Sequence, residues 1–192
     1  MILPVVKYGN PVLRQKGARI EKITPEITRL IDDMLETMYA AAGVGLAAQQ
    51  VGKALQLTVI DIKDVRDRPS TLEIGGKPAT IADHMPLVLI NPEVKPAGKP
   101  AAGPEGCLSF PEIYADVERP ESVDVTAMNE NGETIELRCG GLLARAVQHE
   151  TDHLHGILFI DRMSSETKKE LKPQLDALQE TVKAGLKKDA GA

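Results

Sequence analysis

The chain has 192 residues, 42% of them hydrophobic and 27% charged, with a formal net charge of -5. That balance is ordinary for a globular protein, and the charge is too small to make nucleic acid the expected substrate. The length suits one compact domain spanning residues 1–192, able to bury about two thirds of its unfolded surface without disulfides or oligomerisation, so a monomer is expected.

The two cysteines, Cys107 and Cys139, lie far apart in sequence. The opening "MILPVVKYGN" lacks the charged and apolar regions of a secretion signal, so a cytoplasmic location is expected. No apolar run approaches the roughly 20 residues a membrane span needs, and no repeat of solenoid period is present.

The first expected element is the helix in "TPEITRLIDDMLETMYAAAG". Thr24 can cap it, Pro25 suits its first position, and Ile27, Leu30, Ile31, Met34, Leu35 and Met38 form one core-facing stripe. "GVGLAAQQVG", Gly43 to Gly52, is too rich in glycine and alanine for packing alone and reads as a functional loop before the strand-like "LQLTVIDI". Residues 63–86 are polar and turn-rich and read as an excursion. "LVLINPEV" resumes a strand pattern, which the Pro and Gly of "KPAGKPAAGPEG" are expected to break.

Apolar and polar residues then alternate around Asn131-Gly132, a hairpin signal that turns Val123, Val125, Ile135 and Leu137 to one face. Cys139 continues that alternation and reads as a small buried hydrophobe. A helix follows in "GLLARAVQHETDHLHG", stopped at Gly156. The terminal helix is expected over about 165–188, bent or restarted near Pro173, with residues 189–192 frayed. Strands followed by a helix, without repeated βαβ units, indicate an α+β fold: antiparallel strands around a central helix, with a further helix at each end.

That central helix carries His149-Glu150-x-x-His153. Two imidazoles one turn apart, about 5 to 6 Å at Cβ, can grip one metal ion. Glu150 is too close to His149 to complete the shell comfortably, but it can move a proton of a water in an open coordination position.

The third ligand is not where zinc proteases of the long motif keep it, because Phe159 occupies that place. A downstream carboxylate would have to be Glu166 or Glu170. His155 projects to the other side of the helix, and His84 falls in the polar excursion. Upstream, "EGCLSFP" presents Cys107 in an irregular segment, where a metal-held thiolate would supply the missing anionic ligand. Leu142 and Ala146, at helical spacing before His149, form either an apolar wall beside the metal or simple core. Asp152, off the metal face, is either a surface carboxylate or the partner of a buried cation, for which Arg119 is the candidate.

Three motifs in this order, "GVGLAAQQ", "EGCLS" and "HETDH", resemble those of the peptide deformylase family, and "NPVLRQKG" and "HGILFIDRM" extend the likeness. Thr151 stands where the family usually has a hydrophobic residue, and the 63–86 stretch looks like an insertion. The resemblance implies Cys107, His149 and His153 as ligands of one divalent ion, Fe(II) by preference, with zinc, nickel or cobalt acceptable.

It also implies Glu150 as general acid/base, and Gln50 with the Leu108 backbone amide as oxyanion donors. Val44, Gly45, Gly106, Leu142 and Ala146 would then bind the substrate, an N-formylmethionyl nascent peptide giving formate and a free amino terminus. Arg145 departs from a purely apolar lining. An endopeptidase of the His-Glu-x-x-His kind and a structural metal module are the competing readings. From Glu166 to Lys188 the chain carries six lysines against four acids, a basic segment that could touch ribosomal RNA or equally dock on its own domain through Leu171, Leu175, Leu178 and Val182.

Overall fold

A computed structural model describes residues 1–190. Helix α1 (Pro25–Ala40) begins as its sequence dictates: Thr24 accepts a hydrogen bond from the Ile27 amide, and Pro25 occupies the first turn. Its inner stripe places Ile31, Met34 and Met38 in a cluster with Leu46, Leu57, Val59, Val88 and Ile90. Each such side chain contributes roughly 1.5–3 kcal/mol when fully buried.

The strands are β1 (Gly45–Ala47), β2 (Leu57–Ile60), β3 (Ser70–Ile74), β4 (Lys77–Pro78), β5 (Leu87–Cys107), β6 (Phe110–Met128) and β7 (Thr134–Gly141). They join in the order β1-β2-β5-β6-β7-β3-β4, with every neighbouring pair antiparallel. The hairpin at Asn131-Gly132 pairs Val125 with Leu137 and Val123 with Cys139, all buried as the alternation requires. Burial pushes the Cys139 thiol up to about 12, in keeping with a packed, inert cysteine.

Two expectations fail here. The proline- and glycine-rich "KPAGKPAAGPEG" does not break β5, which runs unbroken from Leu87 to Cys107. Beyond Ile90 this strand has β6 on one side only, and an open edge tolerates residues without a donor. The irregularity is taken up by register shifts between Ile90 and Glu93, Ala97 and Pro100, and Gly106 and Cys107.

Nor is the 63–86 stretch a mere excursion. β3 pairs with β7, burying Leu72 opposite Cys139. Pro69 and Ser70 accept hydrogen bonds from the Leu142 and Leu143 amides, satisfying the first donors of the next helix.

That helix, α2 (Leu142–Leu154), lies at the centre and packs against β1, β2, β3, β5, β6 and β7. It ends in a Schellman arrangement. Gly156 is at φ 72°, its amide donates to the His153 carbonyl, and the Ile157 amide donates to that of Asp152.

Helix α3 (Ser165–Ala190) continues without a break through Pro173. The carbonyl that loses its donor belongs to Lys169, an exposed residue, so no restart is needed. Asp189 and Ala190 are helical rather than frayed; Gly191 and Ala192 lie outside the described residues. Leu171, Leu175 and Leu178 dock α3 on a third cluster with Leu13, Phe110, Val117 and Phe159. No described helix is long and apolar enough to cross a membrane.

Candidate metal centre and active-site cleft

α2 places His149 and His153 one turn apart, with ring centroids 5.1 Å from each other. Cys107 reaches them from the end of β5, where the last register shift turns its side chain out of the ladder. The donor atoms of Cys107, His149 and His153 all lie within 4.8 Å of one another, and Cys107 Sγ is 3.4 Å from His153 Nε2. A tetrahedral ion about 2.3 Å from sulfur and about 2.1 Å from nitrogen would need an edge of about 3.6 Å there. The residues therefore fit a metal ion, and their chemistry, one thiolate and two imidazoles, is that of a transition-metal site.

His149 Nδ1 donates to Glu105 Oε2 at 2.9 Å, which leaves Nε2 for the site. Glu105 also accepts from Arg119, and from Arg145 Nη1 at 3.0 Å. Burial alone would raise the Glu105 carboxyl, but the bonds from His149 and Arg119 overcome it and hold the group at about 2. Arg119 donates in turn to Asp152 Oδ2 at 2.9 Å, the partner expected from the sequence, and Arg162 donates to both oxygens of Asp152. Sequence reasoning missed Glu105, although it sits in the quoted "EGC", and missed Arg162. Arg145 lines the cleft beside Leu142 and Ala146, so the lining is not purely apolar, and its guanidinium is bonded to Glu105 and the carbonyls of Ala101 and Val117.

Glu150 is buried beside His149, and its Oε2 has no protein hydrogen-bond partner. Burial pushes this carboxyl up to about 7, against the opposing pull of His149. Gly45 makes room for it, since a Cβ there would stand 2.5 Å from Glu150 Oε1. On the other side, Gln50 Oε1 accepts from the Ala47 amide, so its Nε2 points to Cys107 Sγ at 3.4 Å and Ser109 Oγ at 3.3 Å.

A cleft of about 560 Å³ opens onto this group. Gln50, Leu108 and Glu150 line it, as do Val44, Gly45, Gly106, Leu142 and Ala146, so every expected substrate-contact residue faces one space with Cys107 and His149. His153, 1% exposed, stands behind them. Phe159 packs 5.9 Å from the His149 ring and backs the helix instead of contributing a ligand. Glu166 and Glu170 are exposed on α3 and His84 is exposed outside the cleft, while His155 is turned away and bonded to the Thr151 carbonyl.

Lys7 also lines the cleft, a residue the sequence did not single out. Its Nζ donates to the Leu108 carbonyl at 2.7 Å. Burial lowers its ammonium, and the nearby Cys107 sulfur opposes that shift.

Comparison with known proteins agrees with this geometry. Residues 2–169 match the family model described as polypeptide deformylase. A peptide deformylase of Methylacidiphilum infernorum is 48% identical over 179 residues, 93% of this chain and 94% of its own. One from Opitutus terrae is 41% identical over 189 residues, 97% of this chain and 98% of its own.

Among solved structures, a peptide deformylase from Synechococcus elongatus in complex with actinonin is 43% identical. It superposes with a TM-score of 0.75 over 90% of this chain and 85% of its own. A plant peptide deformylase, 37% identical, gives 0.82 over 95% and 92%. With the cysteine, the two histidines and the glutamate gathered at one cleft, and with likeness along nearly the whole length, the chain belongs to the polypeptide deformylase family.

Proposed function

We propose that this cleft hydrolyses the N-formyl group of formylmethionyl peptides, releasing formate. The observation that carries the reading is the Cys107, His149 and His153 cluster with the unpartnered Glu150 Oε2 beside it. Bound there, a divalent cation, Fe(II) by preference with zinc, nickel or cobalt able to substitute, supplies positive charge that polarises the formyl oxygen and acidifies water.

The remaining work falls to the chain. Gln50 Nε2 and the Leu108 N–H donate to the formyl oxygen as it gains charge, an effect worth several kcal/mol in a dry site. Glu150 takes a proton from the attacking water at its free oxygen and returns it to the leaving amine nitrogen, so the C–N bond breaks to a neutral amine. Leu142 and Ala146, at the cleft wall two turns and one turn before His149, receive the methionine side chain. Val44, Gly45 and Gly106 flank the path of the peptide backbone, with the open edge of β1 available to pair with it.

The endopeptidase alternative has little to support it, because the third donor is a thiol and the position of a third histidine is filled by Phe159. We further read the chain as one catalytic domain acting as a cytoplasmic monomer on nascent peptides. The exposed Lys183, Lys187 and Lys188 of α3 are the ribosome-facing candidates. The direct assay incubates the anaerobically purified, Fe(II)-loaded protein with formyl-Met-Ala-Ser and with an unformylated protein. Formate matched by new amino termini, without internal cleavage, is expected; internal cleavage without formate would favour the peptidase.

A further inference from the structure

Residues 6 to 8 run across both segments that present oxyanion donors. The Val6 amide donates to the Gln50 carbonyl at 2.9 Å, Lys7 Nζ to the Leu108 carbonyl at 2.7 Å, and the Tyr8 amide to the Ser109 carbonyl at 2.9 Å. Gln50 sits in a short 3-10 turn (Ala48–Val51), and Leu108 in the tight connection between β5 and β6. These two segments are not strand partners; the Gln50 side chain touches Cys107 Sγ and Ser109 Oγ directly, and their backbones are tied by what spans them. Three consecutive residues do so, and the stack of Tyr8 on Phe110, centroids 4.8 Å apart, with α3 pressed against Gly9, holds the strap down.

Lys7 differs from its neighbours in donating through a charged side chain that lines the cleft. Fixing the Leu108 carbonyl limits rotation about that residue and with it the direction of the Leu108 N–H. An ammonium on the same wall also adds positive charge on the side where the formyl oxygen becomes negative.

We propose that Lys7 is a positioning residue for deformylation, setting the Leu108 donor against Gln50 in the transition state. This rests on the deformylase reading above. An interaction of that kind lowers kcat and leaves KM nearly unchanged, whereas a lysine that only tethers the N-terminal segment moves stability alone.

The test compares Fe(II)-loaded wild type, Lys7→Met and Lys7→Arg on formyl-Met-Ala-Ser, with metal content and thermal midpoint measured on the same samples. Loss of a direct oxyanion donor typically costs 10²–10³ in rate, so an indirect one should cost about 10- to 100-fold. We expect that fall in kcat for Lys7→Met, with KM within about 3-fold, metal retained, and most of the rate restored in Lys7→Arg. Should Lys7→Met not fold, Lys7→Gln carries the comparison. Absence of formate from the loaded wild type would overturn the underlying reading. A wild type that releases formate while the variant keeps its kcat, changes only KM, loses metal in parallel, or is not rescued by arginine would overturn the role of Lys7 alone.

Discussion

Glu105 Oε2 accepts the Nδ1 proton of His149 at 2.9 Å while the same carboxylate is gripped by Arg119. The carboxylate thereby fixes both the tautomer and the tilt of a metal ligand, and it is the carboxylate partner of Arg145 and, beside Asp152, one of two for the buried Arg119. Replacing Glu105 by Ala should weaken metal affinity by roughly 10- to 100-fold and destabilise the fold by about 3–5 kcal/mol. Chelator competition and urea unfolding measure the two effects. A variant with wild-type metal retention would show that His149 is oriented by packing alone.

The two cysteines should separate cleanly. Cys107→Ser replaces a thiolate by a poor anionic donor, so metal content after dialysis and formate release should fall together. Cys139→Ser puts a hydroxyl at a site 1% exposed and should cost about 1–3 kcal/mol of stability while keeping the metal. Metal loss from the second variant rather than the first would reverse the ligand assignment.

Much of this was readable in the sequence, for a physical reason. The spacing of His149 and His153 needs only helical geometry, and α2 supplies it. The stripe and cap of α1 and the Asn131-Gly132 hairpin are equally local, and all appear as expected. Apart from Arg162, only 10 residues from Asp152, what was missed depends on long separations. Glu105 and His149 are 44 residues apart, and Lys7 and Leu108 are 101 apart. Ser70 caps α2 from 73 residues away, so a polar stretch with no periodicity of its own proved to be sheet and cap. The prolines of β5 misled because composition does not reveal which strand edge stays open.

Tyr39 donates to Asp61 Oδ2 at 2.7 Å, and partial burial with that bond holds its phenol at about 12. The folded value lies above the ordinary 10.0, so the protonated phenol's contribution to stability is complete below about pH 10 and is lost as pH rises through 12. Difference absorbance should record one late phenolate step that Tyr39→Phe removes. A late step that persists in that variant would assign it elsewhere.

α3 stabilises through Leu175, 5% exposed in the third cluster. Leu175→Ala should cost about 2–5 kcal/mol, read as a lower thermal midpoint. Reversing Lys183, Lys187 and Lys188 to glutamate should instead leave the midpoint and cleavage of a short formyl peptide intact, while reducing cosedimentation with ribosomes at low salt. Unchanged cosedimentation would leave α3 a docking helix only.

The central assignment is that Glu150 carries the proton without holding the metal. Glu150→Gln keeps the side chain's size and removes its basicity, so the Fe(II)-loaded variant should retain stoichiometric metal while formate release from formyl-Met-Ala-Ser falls by about 10²–10⁴. Formate release at the wild-type rate from that metal-bound variant, or loss of the metal with the substitution, would contradict it.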